Sequence, residues 1–76
     1  MIKEFDIVGL TRDMVEFQLS AGSLGTVVHV YPSGRAYEVE FVRSDGTTQA
    51  LFTLTEQDIR PATPQDLDRA RLAAAE

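Results

Sequence analysis

The chain has 76 residues, no cysteine and a net charge of −5, which results from 12 acidic and 7 basic residues. This length predicts one small domain. The absence of cysteine excludes disulfides and a thiolate metal site. Scattered basic residues in an acidic chain disfavour nucleic-acid binding. The hydrophobic content is 43%, but no apolar run approaches the roughly 20 residues that span a bilayer, so we expect a globular cytoplasmic protein.

Residues 4–10 have the composition of a first strand, and the segment after them allows two interpretations. In one, residues 11–13 cap a helical turn. In the other, residues 11–24 form a long loop whose apolar side chains cover one end of the sheet; these are Val15, Phe17 and Leu19. A turn rich in glycine and serine, residues 20–25, then leads into the second strand.

Residues 25–54 alternate β-branched and aromatic with polar residues, which predicts a three-stranded antiparallel meander. The second hairpin is expected to close through a two-residue loop at Asp45-Gly46. That loop predicts the facing pairs Tyr37 with Leu54, Glu38 with Thr53, Val39 with Phe52, Glu40 with Leu51 and Phe41 with Ala50. The first hairpin turns at residues 32–35 and predicts the pairs Val30 with Tyr37, His29 with Glu38 and Val28 with Val39. Both hairpins give the middle strand the same inward face.

A short helical turn is expected at residues 55–58, followed by a brief strand at Ile59-Arg60. Pro61 ends that strand because proline has no N–H to donate to a ladder. Five short strands with these connections predict an all-β fold, a small SH3-like barrel with a short C-terminal helix or tail. Closing the sheet into a barrel would remove its exposed edges.

The composition changes at Ala62, so we expect a barrel domain at residues 1–61 and a C-terminal helix or flexible tail at residues 62–76. Thr63 followed by Pro64 is a helix-start signal, and the next residues are rich in alanine. Helices this short are marginal in isolation, so a docked helix and a frayed tail both remain open. We expect the barrel to fold without residues 64–76.

Several segments resemble a family of small bacterial domains of unknown function. They are GTVVHVY at 25–31, AYEVEFV at 36–42, the Asp45-Gly46 turn, ALFTL at 50–54 and DIRP at 58–61. The resemblance implies an SH3-like barrel and brings no known activity or functional residues. More distantly, the valine spacing is similar to that of KOW-type barrels and of the nitrile hydratase β-subunit barrel.

Catalysis has little support in the sequence. His29 is the only histidine, so no constellation of two histidines can form, and Glu38 and Glu40 are typical of a solvent-facing strand. No residue is assigned to catalysis, to a cofactor or to a metal, and we expect a protein that is not an enzyme and needs no cofactor.

The predicted outward face of the meander is the candidate partner-binding surface, because apolar residues lie there beside acidic ones. Its residues are Val27, His29, Tyr31, Glu38, Glu40, Val42 and Leu51. Alternatively, the C-terminal helix covers them or they are scattered surface residues. We expect a protein-interaction module, an accessory or regulatory partner of another bacterial protein, such as an immunity protein or antitoxin. The alternatives are a KOW-like RNA- or ribosome-binding module and self-association as a homodimer.

Overall fold

In the part of the chain that the structure describes, a single antiparallel sheet and one short helix make up the fold. The computed structural model describes the backbone of residues 2–43 and 45–74 and the side chains of residues 2–43 and 45–70. Its elements are β1 (Ile7–Leu10), a 3₁₀ turn (Val15–Phe17), β2 (Leu24–Val30), β3 (Ala36–Val42), β4 (Thr48–Thr55), β5 (Ile59–Pro61) and α1 (Pro64–Ala74). None of the helices in these ranges has the length and apolar composition needed to cross a bilayer.

The five strands lie in the order β4-β3-β2-β1-β5, which leaves β4 and β5 as edges. The prediction of an all-β fold with five strands and a C-terminal helix is confirmed. The predicted closure of the sheet is wrong, because β4 and β5 do not pair. The physical reason lies in β5, which has only 3 residues, pairs with β1 and ends at Pro61. It therefore has few backbone groups with which to form hydrogen bonds to a second strand.

The register between β3 and β4 is confirmed, from the pair Tyr37–Leu54 to the pair Phe41–Ala50. The turn that joins these strands differs from the predicted two-residue loop. Arg43 N–H donates to the Thr47 carbonyl at 2.8 Å, so the strands pair only as far as these two residues and the connection between them is longer than predicted.

A register shift beyond Phe41 absorbs this longer loop, because Val42 faces Thr48 while Phe41 faces Ala50. Gly46 has φ of 90°, which suits glycine. The Asp45 carboxylate accepts hydrogen bonds from the backbone N–H and the hydroxyl of Thr47. The shift explains why the inner pairs keep the predicted register although the turn differs.

A bulge at Val28 changes the inward face of β2. Val27 faces Val39, whereas Val30 faces Tyr37, so one extra residue lies between these pairs. The predicted pair of Val28 with Val39 is therefore wrong, since strict alternation does not allow for a bulge. The predicted pairs of His29 with Glu38 and Val30 with Tyr37 are confirmed.

The core lies on the inner face of the sheet and is closed at one end by the β1–β2 connection. Its buried residues are Val8, Leu10, Met14, Leu19, Val27, Tyr37, Val39, Phe41, Leu54 and Ile59. The connection combines both predicted forms, a 3₁₀ turn within a longer loop. Leu19 is buried, and the Phe17 ring meets the Phe52 ring edge-on at 4.4 Å, as expected of a covering loop. The prediction for Val15 is wrong, because its side chain is 77% exposed.

Asp66 ties the start of α1 to β5. Its carboxylate accepts a hydrogen bond from the Arg60 guanidinium at 2.7 Å and from the backbone N–H and the hydroxyl of Thr63, each at 2.9 Å. Thr63 Oγ1 in turn accepts the Asp66 N–H, a reciprocal capping arrangement. The helix begins at Pro64 as predicted, and this end of it is docked.

We expect Asp66→Asn to loosen α1, because the neutral side chain loses the ion pair with Arg60 and weakens the cap. The Arg60 guanidinium, followed by the Thr63 N–H and hydroxyl, holds the pKa of the Asp66 carboxyl far below its ordinary value of 3.8. Because the pKa is lowered on folding, the ionised carboxyl stabilises the folded state at pH values above its ordinary pKa. This stabilisation disappears as the pH falls through the pKa of the folded state.

Far-UV circular dichroism and amide exchange of α1 measure this effect. At neutral pH we expect the Asp66→Asn protein to show less helix than the wild type and faster exchange at the start of α1. The charge-matched variant Glu56→Gln, which alters an exposed side chain outside the helix, is the control. Equal helix content in all three proteins would show that the anchor contributes nothing.

Candidate functional site

The candidate site is the face of β2, β3 and β4 that points away from the core, called the outer face from here on. It is formed by His29, Tyr31, Glu38, Glu40, Val42, Leu51 and Thr53. On β3 these residues alternate with the buried Tyr37, Val39 and Phe41.

Most of the predicted partner-binding residues lie on this face. Val42 and Leu51 are 49% and 54% exposed, and His29 lies opposite Glu38. Val27 does not belong to the site, because it is 0% exposed and packs in the core. That assignment is wrong for the reason given above: the bulge at Val28 turns Val27 inward.

Two hydroxyl groups orient the Glu38 carboxylate. Tyr31 Oη donates to Glu38 Oε1 at 3.1 Å, and Thr53 Oγ1 donates to the same oxygen at 2.6 Å. The His29 ring stands at 88° to the Tyr31 ring, with centroids 4.8 Å apart. These contacts limit the rotamers of Glu38 and Tyr31 and leave Glu38 Oε2 available to a partner.

Glu40 is oriented in the same way, because Thr48 Oγ1 donates to its Oε2 at 2.8 Å. Glu38 and Glu40 are alternate residues of β3, so their side chains leave the strand about 7 Å apart. Neither carboxylate forms an ion pair within residues 2–43 and 45–70, where Arg12 pairs with Asp58 and Arg60 with Asp66. The outer face thus holds two positioned anions without a neutralising cation from the described side chains.

A shallow apolar groove lies between the outer face and α1, beside Glu40. Its lining includes Ile7, Leu24, Val42, Leu67 and Ala70. The helix therefore approaches the Val42 end of the outer face but does not cover Leu51, which stays 54% exposed. The expected covering helix accounts for only one end of the apolar surface.

Sequence reasoning did not assign Thr53 to the site or Ile7 to the groove beside it. Thr53 faces Glu38 in the predicted register, so the contact of its hydroxyl with Glu38 could have been predicted from the sequence. Ile7 alternates with the buried Val8, and that alternation places it on the outer side of β1. Leu67 lies on α1 and reaches the groove, as in the alternative in which the C-terminal helix covers part of this surface.

The chemistry of the site suits recognition of a cation together with apolar side chains. Carboxylates accept charge-assisted hydrogen bonds from lysine and arginine, and a neighbouring aromatic and aliphatic surface supplies the buried contacts of an interface. No group of three or more histidine, aspartate or glutamate residues is arranged to hold a metal ion in the part of the chain that the structure describes.

The family model of a domain of unknown function, DUF4926, matches residues 4–61. The chain belongs to the DUF4926 family. This confirms the resemblance to a family without known function. The DUF4926 match includes all five strands and ends where β5 ends, so the outer face lies inside it and α1 lies beyond it. The searches of curated proteins and of solved structures found no significant match to this DUF4926 chain.

Proposed function

We propose that this DUF4926 domain is a non-enzymatic interaction module that binds a basic segment of another protein on its outer face. The observation that carries the proposal is the pair of carboxylates, Glu38 and Glu40, held by hydroxyl donors and without a cation from the described side chains. The partner supplies a lysine or arginine to them, and the domain acts as its accessory or regulatory subunit.

The overall charge of the chain supports a basic partner. A net charge of −5 raises the rate of encounter with a positively charged protein and slows encounter with nucleic acid. An exposed ion pair contributes only about 0.2–1 kcal/mol, so charge alone does not make a stable complex. Leu51, Val42 and the Tyr31 ring lie beside the carboxylates, and their exposed surface supplies the apolar part of the interface.

The proposal extends to the bacterial origin, the cellular compartment and the fold type of the domain. By the resemblance described above, we propose that the domain is bacterial and has an open form of the SH3-like fold; from its composition, we propose that it is cytoplasmic. An immunity protein or antitoxin that neutralises a basic protein is the most specific version of this role. RNA binding, the KOW-like alternative, requires the outer face to accept phosphates next to two carboxylates, which repel them.

The test compares two double variants that lose the same charge. Glu38→Gln with Glu40→Gln neutralises the outer face, whereas Glu4→Gln with Glu16→Gln neutralises exposed acids elsewhere. Fluorescence anisotropy measures binding of a lysine- and arginine-rich peptide and of a single-stranded RNA of equal length. We expect the outer-face variant to bind the peptide at least about tenfold more weakly, a change of about 1.4 kcal/mol, and the control to match the wild type.

Affinity capture from lysate with the same three proteins then identifies the natural partner. A basic protein retained by the wild type and the control but lost with the outer-face variant supports the proposal. Equal peptide binding by both double variants would show that only net charge matters and would refute the site. Tighter binding of the RNA than of the peptide would favour the KOW-like alternative.

A further inference from the structure

The two edges of the open sheet are built differently. The β5 edge has 3 residues, Pro61 lacks an N–H, and the Pro61 carbonyl accepts a hydrogen bond from the Arg60 guanidinium at 3.3 Å. The β4 edge has 8 residues, TQALFTLT, with no proline and no charged side chain. Natural sheets protect their edges with short strands, proline and charge, so β5 is protected and β4 is not.

Hydrogen-bond alternation identifies the free backbone groups of β4. Tyr31 N–H donates to the Ala36 carbonyl, so the even-numbered residues of β3 bond to β2 and its odd-numbered residues bond to β4. The β4 residues that face those odd-numbered ones are therefore satisfied; they are Ala50, Phe52 and Leu54. The N–H and C=O groups of Leu51 and Thr53 point away from the sheet.

Both ends of this free stretch are closed. Thr55 N–H donates to the Asp58 carboxylate at 3.0 Å, and the Thr55 carbonyl accepts the Asp58 N–H at 2.9 Å. At the other end, the register shift of the second hairpin lies at Gln49 and breaks the regular ladder. The unpaired edge thus consists of Leu51 and Thr53, with Phe52 between them.

We propose that β4 pairs with β4 of a second copy of this chain, antiparallel about a two-fold axis at Phe52. In this register Leu51 of each copy faces Thr53 of the other, and each pair exchanges both backbone hydrogen bonds. The stretch is self-complementary, because its free residues are equally spaced from the axis. Facing residues also lie on the same side of the joined sheet, since both belong to the outer face.

A second copy fits this edge better than another partner on grounds of charge and closure. Two chains of net charge −5 repel each other, but β4 is neutral and forms the contact without facing like charges. On the inner face the half-buried Phe52 rings of the two copies meet, next to the Phe17 ring already packed on each. The protected β5 edge prevents further addition, so assembly ends at the dimer.

Sedimentation equilibrium over a wide concentration range tests the dimer. We expect the wild type to reach twice its 8.4 kDa mass. Thr53→Pro removes the free N–H without breaking the β3 ladder and is expected to weaken the dimer at least about tenfold. Thr53→Val is the matched control, because it removes the hydroxyl but keeps the N–H, and it should still dimerise. A monomeric wild type, an assembly larger than a dimer or an unweakened proline variant would overturn the proposal.

Hydrogen exchange of the wild type provides a measurement that needs no folded proline variant. The Leu51 and Thr53 amides should be protected more strongly as the protein concentration rises, because only pairing shields them. Concentration-independent exchange at both amides would overturn the edge pairing. The result is separable from the proposed function, since Glu38→Gln with Glu40→Gln should leave the dimer intact while it weakens binding of the basic peptide.

Discussion

Gly25→Ala is expected to destabilise the domain by about 3 kcal/mol, the largest effect of a single added methyl group in this chain. A Cβ atom at Gly25 would lie 2.8 Å from Phe41 Cε1, 2.8 Å from Val39 Cγ1 and 3.0 Å from the Glu40 carbonyl oxygen. Both side chains are buried and the third atom is backbone, so none of them moves easily.

Urea unfolding measures the effect, with Gly9→Ala as the control. A Cβ at Gly9 would meet the Arg60 guanidinium at 3.1 Å, at the end of a flexible side chain, so we expect a cost below about 1 kcal/mol there. A double-mutant cycle isolates the cause: Gly25→Ala should cost less in a Phe41→Leu background, by about 0.5–3 kcal/mol of coupling. Equal costs at the two glycines would contradict this packing explanation.

Val27→Ala is expected to destabilise the domain by about 1–3 kcal/mol, whereas Val28→Ala should cost well under half as much. Val27 is 0% exposed and faces Val39 in the core, so its truncation leaves a cavity. Val28 occupies the bulge and is only half-buried. Small domains are marginally stable, so the larger loss removes a substantial share of the folding free energy.

The comparison of these two variants by urea unfolding also tests the register of β2. Strict alternation through Val30 would make Val28 the core residue and Val27 the outward one, and would reverse the order of the two costs. A greater loss for Val28→Ala than for Val27→Ala would therefore show that the bulge is absent in solution. The variant His29→Ala changes an exposed residue of the same strand and should leave stability nearly unchanged.

Much of the candidate site could be predicted because it depends on local pairing. The β3–β4 hairpin joins neighbouring strands, and only one register buries Val39 and Phe41 together with Phe52. That register placed Glu38 and Glu40 on the outer face and Leu51 beside Glu40, and the structure agrees. The predicted turn at Gly46 is too short, but a register shift restores the predicted pairing from Phe41 and Ala50 onward.

Four features could be predicted from the residues alone: the all-β class, the register of β3 with β4, the start of α1 at Pro64 and the outward position of both carboxylates. These features follow from short-range periodicity, turn residues and capping. The burial of Val27 could not be predicted in this way, because the phase of β2 depends on its tertiary contacts with β3. The Phe41 ring lies so close to Gly25 that no Cβ atom fits there. The bulge at Val28 allows Gly25 and Val27 to face inward together with Val30. The open form of the sheet likewise depends on tertiary contacts, since β5 pairs with β1 and is too short to pair with β4 as well.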